Sequence, residues 1–397
     1  MLKTLRPLLL TLFFLQFASS QTTFNKPSEA YDSSRRPLTE WESAVESRTM
    51  PATPTPPEEE VRQRFGQLCP LFSIQNESGE ELYWLAKLCE GDHEKALAAI
   101  ALYLSGSELT HAADARWLLA TQQMRKTGNW ESSWPTIKLI AQQSPVEEWF
   151  WRYRVAIDDE SDDNPKESLE WSKELYTILL ARSKSDDPQL APISLFYALI
   201  AGSDLVHRYH LSADEPDAAK VLAEMNGLAQ TLPDKVRGWP AELRWANLEM
   251  QPAPAIPVME ILGKKSSASL VQPGRVEVIS FFFLACVPCR AELPALDDLQ
   301  KRYGTQELLV ADVTTMKAND SSSEPDLEHS LEVLRAKSAP DISMVITSDE
   351  TPSTYGIAQF PVAAIVDKRG RVRYIGRTID FENDDSAGKL VHQLIEE

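Results

Sequence analysis

The chain is poor in positive charge. It has 40 lysine and arginine residues against 59 aspartate and glutamate residues, which gives a formal net charge of -19 at pH 7. Binding to a nucleic-acid backbone needs a basic surface that displaces counterions from the phosphates. The composition therefore argues against nucleic acid as a partner, and we interpret the acidic surface as an aid to solubility.

Long apolar runs are also scarce. At the N-terminus, Lys3 and Arg6 precede an apolar run, 8–17, and the small residues 18–20. This order is typical of a secretory signal peptide, which we predict over residues 1–20. The run is short for a membrane span, so an uncleaved anchor is the less favoured alternative. No later segment of the sequence is predicted to be apolar enough to cross a bilayer. From the signal peptide we predict export to the periplasm or out of the cell.

Cysteine is rare, with four in 397 residues. Export places them in an oxidising compartment, where four cysteines allow three pairings. Cys286 and Cys289 are predicted to pair with each other, which leaves Cys69 and Cys89. For these two we favour a structural disulfide between N-terminal helices over a second redox centre. A single Cys-x-x-Cys cannot supply the four ligands of a zinc site.

Clusters of metal ligands are missing elsewhere too. His207 and His210 share a predicted helix, but no nearby histidine or glutamate pattern completes a site, so we predict two surface histidines. The acidic stretch 158–163 lacks the glycine and the terminal glutamate of a calcium loop, and we interpret it as a solvated linker. No metal and no cofactor is predicted.

Shifts in composition divide the chain into regions. Residues 21–58 are rich in Ser, Thr and Pro and are predicted to be a disordered linker. From 59 to 251 apolar residues recur at helical spacing between short breaks, which predicts an α-helical domain of hairpins. It weakly resembles tetratricopeptide repeats, although no regular period aligns. From 252 to 397 short apolar runs alternate with helical segments, which indicates an α/β domain.

The strongest motif is Cys286-Val287-Pro288-Cys289, which lies between an apolar run, 276–284, and a helical pattern. Unpaired N–H groups and the dipole at a helix N-terminus favour a thiolate at the first cysteine. The second cysteine, one turn on, is within reach to close or open a disulfide. The motif predicts a redox-active disulfide.

In this setting, residues of about 252–397 resemble the thioredoxin fold of exported thiol:disulfide oxidoreductases of the TlpA/ResA type. The residues that carry the resemblance run along the whole domain: the strand into the dithiol, Glu292, Pro294, Tyr355-Gly356-Ile357, Phe360-Pro361 and the hairpin 364–372. The predicted fold class is therefore multidomain, with an all-α helical-hairpin array followed by an α/β thioredoxin fold.

The resemblance implies a role for each matched residue. Cys286 would be the nucleophilic thiolate, and Cys289 the resolving thiol. Pro361 would be a cis-proline that faces the dithiol and holds an extended client segment. Glu292 would relay protons to or from a thiol, although a glutamate early in a helix is otherwise a surface residue.

Two departures from the family pattern bear on the site. Ala285 stands where the family usually has tryptophan, and all ten tryptophans lie at or before Trp245. We expect this loss to open the surface around Cys286. Ser280 stands where many thioredoxins keep a buried aspartate, so proton handling is expected to fall more heavily on Glu292. Pro294 is expected to kink its helix.

Two hypotheses for function follow. In the first, the protein reduces or isomerises disulfides in protein clients, an upstream thiol donates the electrons, and the helical domain positions a protein partner. In the second, the chain is a non-catalytic binding or scaffold protein whose thioredoxin fold is a docking module with a structural disulfide.

Overall fold

The structure is a computed structural model. It describes residues 24–46, 56–107, 109–143, 146–185, 187, 190–232, 241–262, 264–265, 269–319, 327–376 and 386–397. Contacts within the chain divide it into two compact units, Met1–Gln143 and Ser144–Glu397. The predicted signal peptide lies outside the described residues, as does the stretch 47–55 of the predicted linker.

The first unit is helical in its described part. Its helices are α1 (Pro27–Glu46), α2 (Glu58–Leu68), α3 (Glu80–Leu88), α4 (His93–Leu104), α5 (Ala112–Thr127) and α6 (Trp134–Gln143). Helix α1 packs against α2 and α3, and each helix from α3 to α5 packs against the next one along the chain. Successive helices thus bury apolar faces against each other, and residues of this core include Leu85, Leu88, Ala96, Ile100 and Tyr103.

The prediction of a disordered linker is wrong for helix α1. The Tyr31 ring stacks on Phe65, with centroids 5.1 Å apart, and also contacts Trp84 at 5.1 Å. At the start of α1, the amide and hydroxyl of Ser28 donate hydrogen bonds to the Glu81 carboxylate at 3.0 and 2.9 Å. Packing against α2 and α3 therefore supplies the stability that the polar composition of α1 does not suggest.

Cys69 and Cys89 are bonded to each other in this unit, with an S–S distance of 2.10 Å. Cys69 begins a short 3-10 turn directly after α2, and Cys89 follows the last residue of α3. Both residues are buried, and the Lys95 ammonium donates a hydrogen bond to the Cys69 carbonyl at 2.7 Å. The bond joins the C-terminal ends of two packed helices.

Five helices begin the second unit in its described part. They are α7 (Val146–Asp163), α8 (Pro165–Ser183), α9 (Leu190–Leu211), α10 (Glu215–Ala229) and α11 (Ala241–Leu248). Helix α9 packs against the other four and forms the centre of this group. Among the described helices, α9 alone is long and apolar enough to cross a membrane, by length and composition only. The sequence analysis predicted no such segment after the N-terminal apolar run. Over half of that stretch, 56%, is buried inside the protein, as expected for a helix in a core.

Two polar features of these helices differ from their predictions. The acidic stretch 158–163 is the last part of α7 and not a linker, and the Arg208 guanidinium pairs with Asp158. His207 hydrogen-bonds to the buried Glu249 carboxylate, so it is not a surface histidine. His210 pairs with Glu215 at 3.0 Å. Among the described residues, no group of three or more histidine, cysteine, aspartate or glutamate side chains could hold a metal ion.

A mixed sheet of seven strands follows. The strands are β1 (Val258–Ile261), β2 (Lys264–Lys265), β3 (Val276–Phe281), β4 (Leu308–Thr315), β5 (Ser343–Thr347), β6 (Val362–Val366) and β7 (Val372–Gly376). Their order is β2-β1-β5-β4-β3-β6-β7, with β3, β4 and β5 parallel and the other pairs antiparallel. The accompanying helices are α12 (Val287–Glu307), α13 (Leu327–Ser338), α14 (Thr351–Thr354) and α15 (Ser386–Glu396). The predicted fold class is confirmed.

Strand β3 is buried on both faces, because all six of its residues are buried and side chains alternate along a strand. Val278 belongs to a cluster that also contains Leu293 and Leu296 of α12, so this face is the one that α12 covers. Ile279 and Phe281 belong to a second cluster on the opposite face, with Tyr355. Strand β3 therefore presents Val278 to the helix that carries the dithiol, and it presents Ile279 and Phe281 to the opposite face of the sheet.

The outer edge of β7 is covered by the chain segment that leads into the sheet. The Met250 amide donates to the Val372 carbonyl at 2.7 Å, and the Val372 amide donates to the Gln251 carbonyl at 2.9 Å. A third bond runs from the Ala253 amide to the Gly370 carbonyl at 2.8 Å. Helix α11 also packs against β7. The outer backbone groups of Val372, the first residue of β7, are thus paired within the unit.

Candidate redox site

The dithiol lies where the buried strand β3 passes into helix α12. Cys286 directly precedes the first helical residue and has extended backbone angles, φ -73° and ψ 103°, as an N-cap residue has. The Cys289 amide donates a hydrogen bond to the Cys286 sulfur at 3.2 Å. A free N–H group at a helix N-terminus therefore points at the first sulfur, where it would stabilise a thiolate.

Cys286 and Cys289 are bonded to each other, with an S–S distance of 2.03 Å. The residues between them are exposed, and Val287 is 54% accessible. The cysteines themselves are 5% and 3% accessible. The turn between the two cysteines is thus exposed, while the cysteines themselves are buried.

Pro361 is brought to the dithiol by strand register. Val362 of β6 lies opposite Phe281 of β3, so the residue before Val362 is next to the loop that follows Phe281. The Phe360–Pro361 peptide bond is cis. Strand register therefore places Pro361 at the end of β3 from which the loop to Cys286 begins.

Glu292 also belongs to this site. It lies three residues after Cys289 on α12, which places both side chains on the same side of the helix. Only 5% of Glu292 is accessible, so it is not a surface residue. Cys289 and Leu293 belong to the cluster beneath α12. The carboxyl group of Glu292 is thus held under the helix, within one turn of Cys289.

Ala285 is exposed where the family usually has tryptophan, while Cys286 beside it is only 5% accessible. Phe283 and Phe360 pack edge to face, with ring centroids 5.5 Å apart, and both rings pack against the cluster that contains the two cysteines. Two phenylalanines therefore pack on each other and on the cluster to which the two cysteines belong.

The residue with non-helical angles inside α12 is Gly304, with φ 69° and ψ 164°, and not the predicted Pro294. A positive φ costs glycine little, because glycine has no Cβ. The helical backbone from the dithiol past Pro294 is continuous, which keeps Cys289 and Glu292 in fixed relation.

No protein-family model matches the chain. Thioredoxin-like protein YneN of Bacillus subtilis (strain 168) is 28% identical over 129 residues, which is 32% of this chain and 70% of the relative. The part of this chain that carries the dithiol is thioredoxin-like. Its resemblance to thiol–disulfide oxidoreductases is confirmed over that part.

Solved structures similar to the thioredoxin-like part include a thiol-disulfide isomerase from Corynebacterium glutamicum. That match has 16% identity and a TM-score of 0.31, and it covers 37% of this chain and 97% of the other. A thiol:disulfide interchange protein from Bacteroides sp. has 21% identity and a TM-score of 0.30, with 38% and 91% covered.

One acidic residue of the thioredoxin-like part was missed by reasoning from the sequence. Asp312 of β4 lies directly beside Ser280 of β3 in the parallel register and is 1% accessible. A buried carboxyl group is therefore present next to Ser280, the position where many thioredoxins keep a buried aspartate and this chain has none. Burial is the main cause that raises the pKa of Asp312 well above its usual value. The signal available in the sequence was a lone aspartate inside the apolar run 308–313.

Asn319 holds the loop before the dithiol. Its side-chain oxygen accepts a hydrogen bond from the Leu284 amide at 2.8 Å. Its side-chain nitrogen donates to the Thr314 hydroxyl at 2.9 Å and to the Thr315 carbonyl at 2.7 Å. Asn319 is 6% accessible. The end of β4 and the loop that presents Cys286 are thus tied together through one buried amide.

We expect Asn319→Ala to lower the free energy of unfolding by about 1–3 kcal/mol, because it leaves the partly buried Leu284 amide without its acceptor. Disulfide exchange should slow several-fold, since the loop before Cys286 loses its anchor. The matched control is Thr314→Val, which removes one partner of Asn319 but leaves the Leu284 bond. Chemical unfolding and insulin reduction measure the two effects, and equal turnover by both variants would contradict the anchoring role.

Proposed function

We propose that this protein is an exported thiol–disulfide oxidoreductase of the TlpA/ResA type that reduces or isomerises disulfides in protein clients. The observation that carries the proposal is the arrangement of Cys286 and Cys289 at the start of α12. A cis-proline, Pro361, precedes the strand paired with β3, and the buried Glu292 lies one helical turn after Cys289. A sulfur at a helix N-terminus, a second sulfur that can displace a client, and a buried carboxyl group are the parts that the exchange reaction needs.

The proposed reaction has two steps. The Cys286 thiolate attacks a client disulfide, forms a mixed disulfide and releases one client thiolate. The Cys289 thiolate then attacks the Cys286 sulfur, closes the internal disulfide and releases the second client thiol. Two electrons pass from the dithiol to the client, so an upstream thiol must return them before the next turnover.

The helical part of the second unit is proposed to position a protein partner. Trp151 and Val155, one turn apart on α7, are 40% and 48% accessible. Adjacent exposed apolar side chains of this kind are common at protein interfaces. Export rests on the order of charge, apolar run and small residues in the first 20 positions of the sequence.

Reduction of insulin by dithiothreitol tests the proposal, because the B chain precipitates once its disulfides open. We expect the full chain to accelerate precipitation well beyond the rate with dithiothreitol alone. Equal rates with and without the protein would overturn the enzymatic function.

A scaffold with a structural Cys286–Cys289 disulfide is the second candidate function. The burial of Cys286 favours it, because a client disulfide must reach that sulfur. Titration of the couple against glutathione separates the two functions. A reduction potential below about -300 mV would favour the scaffold, since structural disulfides resist reduction by glutathione.

A further inference from the structure

A polar cavity lies within the second unit, where helices α7, α9 and α11 meet strand β7. Its volume is about 220 Å³, which is room for about seven water molecules at roughly 30 Å³ each. We propose that this cavity binds a small aliphatic ammonium or guanidinium compound, whose positive charge balances the acidic lining. The site is separate from the dithiol, and its occupancy does not require the exchange reaction.

Four elements of the fold hold the side chains that line the cavity. One lining residue from each of α7, α9, α11 and β7 in turn is Arg154, Asp204, Glu242 and Tyr374. The Ser203 hydroxyl of α9 donates a hydrogen bond to the Glu242 carbonyl at 2.6 Å, and Ser203 is 8% accessible. This bond holds the first turn of α11 against α9, and with it the position of the Glu242 side chain.

Two of the four carboxylates that line the cavity are neutralised by arginine. The Arg154 guanidinium contacts Asp204 through two nitrogens, with Nε 2.7 Å from Oδ2 and Nη2 2.9 Å from Oδ1. The Asp158 carboxylate pairs with Arg208. Each of these pairs contributes no net charge to the cavity.

The other two carboxylates leave the cavity negative. Glu249 is 8% accessible and hydrogen-bonds to the His207 imidazole, which is either neutral or carries one positive charge. Within the part of the chain that the structure describes, Glu242 has no ion-pair partner, in contrast to the other three carboxylates. Four carboxylates thus face two guanidinium groups and one imidazole. One negative charge remains if the imidazole is charged, and two remain if it is neutral.

The carboxylates at the cavity also act on one another. The pKa of Asp204 is raised to about 6. Burial is the largest cause, and the Asp158 and Glu242 carboxylates raise the pKa as well, while Arg154 and Arg208 lower it. A cation in the cavity would relieve this repulsion, because an opposite charge nearby favours the ionised carboxylates.

The lining excludes other classes of ligand. An anion would be repelled by the excess of carboxylates, and an apolar ligand would remove water from charged groups without replacing its hydrogen bonds. Within the described ranges, no group of three or more histidine, cysteine, aspartate or glutamate side chains could hold a metal ion. The carboxylates come from different helices, so a cation of several atoms can reach more than one of them.

Two aromatic side chains, Trp245 and Tyr374, also line the cavity. The face of an aromatic ring attracts a cation, which adds to the attraction by carboxylates. The Tyr374 ring contacts the His207 ring with centroids 5.4 Å apart, so strand β7 and helix α9 already meet at this point. A cation that contacts both Glu242 and Tyr374 would connect α11 to β7. We therefore expect the ligand to stabilise the second unit against unfolding.

Isothermal titration calorimetry of the oxidised full chain tests the site, with putrescine and agmatine as the probes. We expect saturable binding in one-to-one ratio and a higher midpoint of thermal unfolding in the presence of either amine. Butane-1,4-diol has the carbon chain of putrescine without its charges, and we expect it not to bind.

Three variants locate the binding. Glu242→Gln removes the unpaired carboxylate with little change in shape and should weaken the binding of putrescine about 10-fold. Glu332→Gln is the matched control, because it makes the same change in net charge at an exposed position of α13, and it should bind as the wild-type protein does. Glu242→Lys brings an ammonium group of the chain itself to the cavity and should abolish binding, while circular dichroism checks that the variant is folded.

Three results would overturn the site. The first is no binding of either amine by the wild-type protein. The second is equal affinity of Glu242→Gln and Glu332→Gln, which would show a general attraction of amines to a chain with a net charge of -19. The third is binding of butane-1,4-diol as tight as that of putrescine, which would show a space that any small molecule fills. Insulin turnover is not a readout here, so the proposed exchange function is tested separately.

Discussion

Cys286→Ser is expected to lower disulfide exchange by orders of magnitude, to the background rate of dithiothreitol. The thiolate is the attacking group, and a serine hydroxyl is not ionised near neutral pH and cannot form a disulfide. The Cys289 amide, which donates to the Cys286 sulfur at 3.2 Å, can stabilise a thiolate but not turn a hydroxyl into a comparable nucleophile. The measurement is insulin turnover by the full chain.

Cys289→Ser is the matched variant, and a different result is expected for it. The first attack by Cys286 remains, but no second thiol can displace the client, so a mixed disulfide accumulates in one-to-one ratio. Non-reducing electrophoresis and mass spectrometry detect this product and name the client when the variant is expressed in its own compartment. Equal turnover by Cys286→Ser and the wild-type protein would show that another group performs the exchange.

Removal of the Cys69–Cys89 disulfide should lower the stability of the protein more than the other substitutions that we describe. Cys69 and Cys89 are separated by 20 positions in the sequence. Closing a loop of that length restricts the unfolded chain, and its loss costs about 3 kcal/mol. We therefore expect Cys69→Ala combined with Cys89→Ala to unfold at clearly lower urea concentration, measured by the fluorescence of the tryptophans of the first unit.

The same double variant separates a structural disulfide from a second redox centre. If Cys69 and Cys89 only stabilise the first unit, insulin turnover by Cys286 and Cys289 stays at the wild-type rate under native conditions. Unchanged stability combined with a loss of turnover would show instead that Cys69 and Cys89 pass electrons.

The dithiol could be predicted from the sequence because its signals are local. Along the chain, a continuous apolar run is followed by a Cys-x-x-Cys and then by a helical period. Each of these can be recognised without knowledge of the rest of the fold. Asp312 could not be assigned in this way. Its position beside Ser280 depends on the register between β3 and β4, and pairing between strands is set by tertiary structure.

Helix α1 shows the same limit in the first unit. Its polar composition predicts disorder, because isolated helices with few apolar residues are not stable. One tyrosine, Tyr31, contacts both Phe65 and Trp84, which come from two other helices. The average composition of a segment does not predict a contact of this kind, since the contact depends on which residues meet in space.

The bonds that pair Met250, Gln251 and Ala253 with β7 bear on how the thioredoxin-like part can be prepared as a fragment. A chain cut at the Pro-rich joint near residue 252 would lose the Met250 and Gln251 partners of Val372. An uncovered edge strand is a template for pairing with other chains, which leads to aggregation or strand exchange. A fragment that starts at Ala241, with helix α11, keeps this edge closed and is the better unit for expression.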